Sequence, residues 1–348
     1  MYPFREGSFA VRNAWYVAAF ARDVGRALVS RIILNQPVVL YRKEDGVAVA
    51  VGGRCPHRHF PLGASCLRGD TIVCGYHGIA FGADGACVDI PAQAHVPRSY
   101  RIPTYPLVEH GMWLWIWMGD AAANPALLPD LDDIGFTTPG LYPEPLFTHE
   151  VACRYQLLND NLLDLSHLAF LHSSSIGTIE NARTPETVTQ EPRVLRSRRY
   201  IRDCEPTPAM ARRGVTGLVD QVVGMDFHLP GLHAGIGDHF VATGDAESWG
   251  EPLARSRPFH AITPSTPTST YYFFGIATMD PDHAERSAKF LAPVIDEDIF
   301  ASVEIEKMIA LVGGNPPELM IKSDHNAVLG RRMLQAMMDA EAREAATA

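Results

Sequence analysis

The sequence has no apolar run of the roughly 18 residues that a membrane span requires. It also lacks an N-terminal basic stretch followed by an apolar one, which is the pattern of a secretory signal. Basic residues are in the minority, since 30 Lys and Arg stand against 40 Asp and Glu and leave a formal net charge of −10. We therefore expect a cytoplasmic protein that binds neither nucleic acid nor a membrane surface.

Cysteine is scarce and unevenly distributed. Four of the six cysteines fall between residues 55 and 87. A disulfide framework is not expected in a reducing compartment, so clustered cysteines are better explained as metal ligands. The sequence therefore indicates one small metal-binding region, in which Cys66 and Cys87 are interpreted as ordinary buried thiols.

Residues 1–120 predict an all-β domain. Short segments such as QPVVLYR and GVAVAVGG alternate with turn sequences, and DTIVCGYHGIAF with GACVDIP predicts a further strand pair. HGMWLWIWMGD predicts a strand rich in tryptophan near the end of this domain. The spacing is typical of a small sandwich or barrel, and the proline-bearing, acidic segment AAANPALLPDLDD is interpreted as the linker that follows.

Residues 121–348 predict a second domain of the α+β class. Alternating segments in its middle, which end in TSTYYFFGIATM, indicate an antiparallel sheet. LLNDNLLDLSHLAFL and ERSAKFLAPVIDEDIFASVEIEKMIALV have helical periodicity, and a last helix is predicted from about Asp324 onward. Helices that flank an antiparallel sheet define the class.

Two short motifs combine cysteine with histidine. One residue separates Cys55 from His57, sixteen residues follow, and two residues separate Cys74 from His77. Two thiolates and two imidazoles are the ligands of a Rieske [2Fe–2S] cluster, and a Cys2His2 zinc site has the same ligand types. Because each motif carries one Cys and one His, the pattern favours a cluster with two unlike irons over one tetrahedral ion.

CPHRHFPLG together with CGYHGIAF resembles the Rieske motif of the Rieske non-haem iron oxygenases, and WLWIWMGD resembles the strand that closes their Rieske domain. The resemblance implies that Cys55, His57, Cys74 and His77 bind the cluster. His59 stands where this family often has glycine. That exchange lies outside the four ligands but can change the hydrogen bonding near the cluster.

NDNLLDLSHLAFLH places His167 and His172 five residues apart. On a straight α-helix they would differ by about 140° in direction, so both can reach one metal only if the helix bends or ends between them. Asn161, Asp164 and His167 are three apart and would form one stripe on a helix. Taken alone, the two histidines are better explained as satisfied polar groups of an amphipathic helix.

Beside the first motif, this stretch resembles the mononuclear iron motif of the same family, Asn-x-x-Asp-x-x-His-x-x-x-x-His. The resemblance implies that His167 and His172 bind Fe(II), and that Asn161 and Asp164 serve catalysis. It further implies that Asp164 bridges His167 to His77 of the partner subunit.

The third iron ligand is expected in IDEDIFASVEIEKM. By resemblance it is Asp298, because Ile305 and Glu306 follow at the places where the family has Ile-Glu, and Asp296 is the alternative. Taken alone, these acids are typical of a solvated helix N-terminus, where the helix dipole favours them.

The resemblance covers nearly the whole chain and implies a catalytic domain of the helix-grip, START-like fold. It implies a homotrimeric oxygenase supplied with electrons from NAD(P)H by a flavin reductase, directly or through a ferredoxin. The expected reaction with O2 is O-demethylation of a small aromatic acid, with formaldehyde as a product, and ring or side-chain hydroxylation is the alternative. A Rieske electron carrier and a zinc-stabilised binding protein are the other classes considered.

The resemblance also implies that His260 contacts the substrate. His228, His233 and His239 are weaker pocket candidates, for which a surface or core position is the better explanation. The segment RSRRYIR supplies four arginines that could anchor a carboxylate, although a solvated strand face explains them better.

Overall fold

The computed structural model describes residues 9–245, 247–313 and 316–347. Contacts divide the chain into two units. One contains Arg12–Leu128 with Thr263–Thr266, and the other contains Pro129–Ile262 and the chain from Pro267 onward. Across the described ranges, no helix combines the length and the apolar character that crossing a bilayer demands.

The unit around Arg12–Leu128 is built from short strands in three sheets. The strands are β1 (Trp15–Phe20), β2 (Val29–Ile33), β3 (Gln36–Arg42), β4 (Ala48–Gly52), β5 (Cys66–Arg68), β6 (Thr71–Val73), β7 (Ala80–Phe81), β8 (Cys87–Asp89), β9 (Thr104–Tyr105), β10 (Leu107–His110) and β11 (Trp113–Trp117). The sheets have the orders β1–β11–β10, β2–β3–β4–β9 and β5–β6–β7–β8. QPVVLYR and GVAVAVGG form the antiparallel pair β3 and β4, as predicted.

The segment DTIVCGYHGIAF contains two short strands instead of one, although the second of them, β7, pairs with β8 of GACVDIP as predicted. β6 ends at Val73 and β7 begins at Ala80, so the motif between them is a loop. Cys74 and Cys55 nevertheless belong to a buried cluster that includes Tyr41 and Phe81. The apolar core thus anchors both cysteine-bearing loops.

The larger unit contains a seven-stranded antiparallel sheet of order β12–β18–β17–β16–β15–β14–β13. Its strands are β12 (Tyr142–Val151), β13 (Thr187–Gln190), β14 (Val194–Cys204), β15 (Val219–His228), β16 (Leu232–Val241), β17 (Pro252–Thr266) and β18 (Ser269–Thr278). Its α-helices are α1 (Tyr155–Leu163), α2 (Glu180–Arg183), α3 (Pro208–Arg212), α4 (Ala284–Leu311) and α5 (His325–Thr347). The α+β class and the C-terminal helix are therefore as predicted.

The chain leaves the α-helical conformation at Asp164. This residue has φ −116° and ψ 88°, and its carboxylate accepts a hydrogen bond from the Ser166 N–H at 2.9 Å. A 3₁₀ helix over Leu165–Ala169 follows and stops before His172. The α-helix therefore ends before His167, earlier than predicted, and it is the 3₁₀ turn carrying His167 that ends between the two histidines.

The predicted stripe of Asn161, Asp164 and His167 does not form. Asn161 lies in α1, whereas Asp164 ends that helix and His167 belongs to the 3₁₀ turn, so the spacing of three no longer sets one face. The physical reason is that the Asp164 side chain caps the new turn instead of continuing the old one.

Two ion pairs hold α1 in place. At its start, the Arg154 guanidinium donates to both carboxylate oxygens of Glu306 in α4, at 2.6 and 2.7 Å. Near its end, Asp160 accepts hydrogen bonds from Arg331 of α5, the shortest at 2.7 Å. Burial raises the pKa of Asp160 to about 6, even though the Arg331 charge favours ionisation. The helix that leads into the His167 segment is thereby tied to both long helices.

Glu306→Ala should destabilise the protein strongly, because it leaves the Arg154 charge without its bidentate partner in a largely buried place. We expect the free energy of unfolding to fall by about 3 kcal/mol. Glu304→Ala is the matched control in the same helix, since Glu304 pairs with Lys307 at the surface and its loss should cost about 0.5 kcal/mol or less. Urea unfolding followed by circular dichroism measures both, and equal losses would contradict the tether.

Candidate active site

The two Cys–His motifs occupy loops with the same backbone hydrogen bonding. The N–H groups of His59 and Gly78 donate to the carbonyl oxygens of Cys55 and Cys74, four residues earlier, both at 2.9 Å. The N–H of each cysteine in turn donates to the carbonyl oxygen five residues later, at 2.9 and 2.8 Å. Equivalent turns therefore present the two motifs.

His59 keeps a backbone conformation that glycine adopts readily. Its φ is 59°, and Gly78 at the same place in the other loop has φ 72°. The left-handed region explains why glycine suits this position. The Arg54 guanidinium donates to His59 Nδ1 at 2.5 Å, so His59 is engaged with Arg54 at the edge of the first loop.

The four candidate cluster ligands lie in two pairs, one buried and one exposed. Cys55 and Cys74 are buried, and the His57 and His77 rings are exposed with their centroids 4.6 Å apart. Burial raises the pKa of the Cys55 thiol, and the neighbouring Cys74 adds to the rise. Such thiols ionise readily only beside cations. A donor set with sulfur inside and nitrogen outside fits the two unlike irons of a Rieske cluster.

A second donor set lies in the larger unit. The ligand atoms of His167, His172 and Asp298 all lie within 4.8 Å of one another. Asp298 Oδ1 is 3.0 Å from His172 Nε2 and 3.6 Å from His167 Nε2. Two imidazoles and one carboxylate are the facial ligand set of non-haem Fe(II) oxygenases, so the residues present fit such an iron.

Each histidine ring of this site is held through the nitrogen on its far side. His167 Nδ1–H donates to the backbone carbonyl of Asp164 at 2.5 Å. His172 Nδ1–H donates to Glu297 Oε2 at 2.6 Å. Nε2 of each ring is therefore left as the atom that can bind a metal, and it faces Asp298.

The charges of this site are coupled. Burial opposes ionisation of Asp298, but the hydrogen bond from His172 and the neighbouring histidines hold its pKa below the usual range. Burial lowers the pKa of His167, which favours the neutral ring that a metal binds. Burial acts in the same direction on His172, but Asp298 and Glu297 outweigh it and raise the pKa of His172.

Asp298 lies in the middle of α4, which begins at Ala284. Its side chain is 6 % exposed, so a solvated helix N-terminus does not describe it. Asn161 Nδ2 donates to Asp298 Oδ1 at 3.1 Å. Asp296 is exposed and has no hydrogen-bond partner among the described residues, which favours Asp298 over Asp296 at the centre.

A cavity of about 570 Å³ adjoins this donor set, and its walls are mostly apolar. Its lining includes all three donor residues together with His260, Phe274 and Phe290. His260 Nδ1 is hydrogen-bonded to the Tyr272 hydroxyl at 2.6 Å. Burial lowers the pKa of His260 to about 4, so the ring is neutral at the cavity wall.

The other pocket candidates divide. His239 lines the cavity, whereas His228 and His233 do not. His233 Nε2 instead pairs with Asn159 at 2.9 Å in the core.

The arginines of RSRRYIR are absent from the cavity lining. Each has a carboxylate partner: Asp133, Glu191 and Asp226 for Arg196, Asp226 for Arg198, Glu186 for Arg199 and Asp220 for Arg202. These arginines therefore stabilise the sheet and its neighbours.

Sequence reasoning missed two residues that act on the site through a histidine. Glu297 contacts His172, and Tyr272 contacts His260. The first contact joins residues 125 positions apart, and the second crosses between the neighbouring strands β17 and β18. The partial signal is that Glu297 directly precedes the expected ligand Asp298 in IDEDIFASVEIEKM.

Comparison with known proteins agrees with both donor sets. Residues 14–106 match the Rieske [2Fe-2S] domain family, which favours a cluster over a zinc site at the cysteines. Residues 151–340 match the vanillate O-demethylase oxygenase C-terminal domain family.

Relatives span nearly the whole chain. The toluene-4-sulfonate monooxygenase system iron-sulfur subunit of Comamonas testosteroni is 33 % identical over 95 % of this chain and 98 % of its own length. The dicamba O-demethylase oxygenase component of Stenotrophomonas maltophilia is also 33 % identical, over 95 % of this chain and 99 % of its own. A crystal structure of dicamba monooxygenase with non-heme iron and dicamba matches with a TM-score of 0.79 and 29 % identity, over 97 % of this chain and all of the other.

Both domain families, the full-length relatives and the two donor sets agree, and the chain belongs to the Rieske non-haem iron oxygenases, as an oxygenase component with a C-terminal domain of the vanillate O-demethylase type.

Proposed function

We propose that the protein is the terminal oxygenase of a multicomponent monooxygenase that removes the methyl group of a small methoxylated aromatic acid as formaldehyde. The observation that carries this proposal is the convergence of His167, His172 and Asp298 at a largely apolar cavity of about 570 Å³. A volume of this size suits a small organic ligand. The likeness to a dicamba O-demethylase supports demethylation.

Residues 1–120 are proposed as the Rieske domain and residues 121–348 as the catalytic domain. The proposed cluster ligands are Cys55, His57, Cys74 and His77, and the proposed iron ligands are His167, His172 and Asp298. When bound, the cluster supplies single electrons and Fe(II) supplies the site of O2 chemistry.

Groups around the site fix the geometry of the proposed iron ligands and of His260. Asn161 holds the Asp298 carboxylate through Nδ2. The Asp164 carbonyl holds His167, and the Tyr272 hydroxyl holds His260. His260 is proposed to bind a polar group of the substrate, while the apolar wall excludes water from the methyl group. Overall, O2, two electrons and two protons convert the methoxy group to a hydroxyl group, formaldehyde and water, through a hemiacetal whose C–O bond then breaks.

Hydroxylation of a ring or side chain is the second candidate. It is supported by the likeness to a toluene-4-sulfonate monooxygenase, because the substrate in that name has no methoxy group. The same donor set would serve, since insertion of oxygen into a C–H bond is common to both reactions.

Electrons are proposed to come from NAD(P)H through a flavin reductase, directly or by way of a ferredoxin. The relatives' names, which describe a subunit or a component of a system, support the need for such partners. We further propose a homotrimer, in which His77 of the partner subunit meets Asp164 and His167. The exposed position of the His77 ring supports this contact, and a head-to-tail contact can close into a ring.

The reaction is tested with methoxylated and methyl-substituted benzoates and benzenesulfonates, a surrogate reductase and NADH. Demethylation predicts formaldehyde in amounts equal to the O2 consumed, with the matching phenol as the other product. The control omits the reductase. A hydroxylated product without formaldehyde, across the methoxylated substrates, would reject demethylation and favour the second candidate.

If Asp298 is the third ligand, the Asp298→Ala protein should contain little mononuclear iron, measured as the iron that a chelator removes without loss of the cluster. Asp296→Ala should keep it, because Asp296 is exposed and has no partner among the described residues. The visible absorption of the cluster should be the same in both variants. Iron loss in Asp296→Ala with retention in Asp298→Ala would reverse the assignment.

Asp164→Asn should keep cluster and iron yet lower turnover by about 10- to 100-fold, as expected for a residue that supports metal ligands. The direct measurement is the rate at which O2 reoxidises the reduced cluster in the presence of substrate. Asp296→Asn is the control for loss of one carboxylate. A wild-type rate of cluster reoxidation in Asp164→Asn would contradict the proposed bridge between subunits.

A further inference from the structure

Two consecutive carboxylates of α4 contact opposite sides of one histidine ring. Asp298 Oδ1 is 3.0 Å from His172 Nε2, and Glu297 Oε2 is 2.6 Å from His172 Nδ1. Neighbouring residues of an α-helix point about 100° apart, so the two side chains can contact the two nitrogens of a ring that lies against the helix. His172 is 1 % exposed, so this ring has no solvent contact that could hold it instead.

The two histidines of the donor set are held by unlike acceptors. His167 Nδ1–H donates to the neutral backbone carbonyl of Asp164, whereas His172 Nδ1–H donates to a carboxylate. A hydrogen bond to an ionised acceptor is the stronger kind. A carboxylate behind an imidazole also raises the donor strength of the opposite nitrogen.

The side chain of Glu297 has no hydrogen bond or ion pair other than the one to His172 within the described part of the chain. Two other glutamates of α4 have basic partners, since Glu304 pairs with Lys307 and Glu306 with Arg154. The Glu297 side chain is 34 % exposed, so its removal does not open a hole in the core. Its contact with His172 is therefore separable from the packing of the helix.

We propose that Glu297 is a positioning residue for the mononuclear iron. It fixes the His172 ring with Nε2 toward Asp298 and His167, and it strengthens that nitrogen as a donor. The inference rests on the proposed function, because it takes these three residues as iron ligands. Because Glu297 supports His172 with a charged acceptor and His167 has only a backbone carbonyl, we expect His172 to be the stronger of the two histidine ligands.

The test compares Glu297→Ala, Glu297→Gln and Asp296→Ala in the full-length protein with its cluster retained. Asp296→Ala is the matched control, since it removes the adjacent carboxylate, which is exposed and has no partner among the described residues. After removal of the mononuclear iron by a chelator, Fe(II) affinity is measured by competition with a colorimetric chelator. Thermal unfolding before Fe(II) is added reports any loss of fold.

Glu297→Ala should weaken Fe(II) binding by about 10- to 100-fold without a change in melting temperature. Glu297→Gln should fall between Glu297→Ala and wild type, because its amide oxygen still accepts from Nδ1–H but carries no charge. Asp296→Ala should stay within about twofold of wild type, as expected for a carboxylate that supports no ligand. Co(II) in place of Fe(II) should give an altered visible spectrum in Glu297→Ala and an unaltered one in Asp296→Ala.

Two outcomes overturn the inference alone. The first is wild-type Fe(II) affinity in Glu297→Ala. The second is an equal loss of Fe(II) affinity in Glu297→Ala and Asp296→Ala, because the loss would then follow from the removal of one negative charge and not from the contact with His172. If the wild-type protein retains its cluster but binds no Fe(II), the proposed function itself fails and the inference falls with it.

Discussion

The Asp298 carboxylate is the point on which the larger unit's site depends. A carboxylate that is 6 % exposed is costly unless donors or cations surround it. Here Asn161 of α1 donates to it, and His172 and His167 bring two imidazoles to the same oxygen. Residues 161–172 therefore supply all three groups that surround this buried charge.

That requirement explains the ion pairs farther from the centre. Asn161 reaches Asp298 only if α1 keeps its position beside α4, and the Arg154–Glu306 pair joins these two helices directly. The Asp160–Arg331 pair fixes the other end of α1 to α5. The segment that carries His167 and His172 is a short 3₁₀ turn followed by a loop, which backbone hydrogen bonds hold less firmly than an α-helix. The two ion pairs of α1 therefore stabilise the helix that leads into this segment.

Local sequence determined the parts of the site that depend on local bonding. The spacing of His167 and His172 required a break in helical structure if both were to reach one metal; the α-helix ends at Leu163, and the 3₁₀ turn that carries His167 ends at Ala169. The pairing of Glu297 with His172 joins residues 125 positions apart, and Asn161 with Asp298 joins residues 137 apart. Such contacts depend on how helices pack, which periodicity does not encode. The same limit explains the stripe error, because the preference of Asp164 for capping competes with helical continuation.

The two donor sets differ in which ligand types are buried. At the first, the thiols are buried and the imidazoles exposed, so the nitrogen ligands face the outside. At the second, His172 and Asp298 are buried and His167 is the more exposed member. A proton on His172 Nε2 and a cation bound there need the same lone pair, so they exclude one another. The raised pKa of His172 and its fitness as a metal ligand therefore have one cause, the negative charge of Asp298 and Glu297 on either side of its ring.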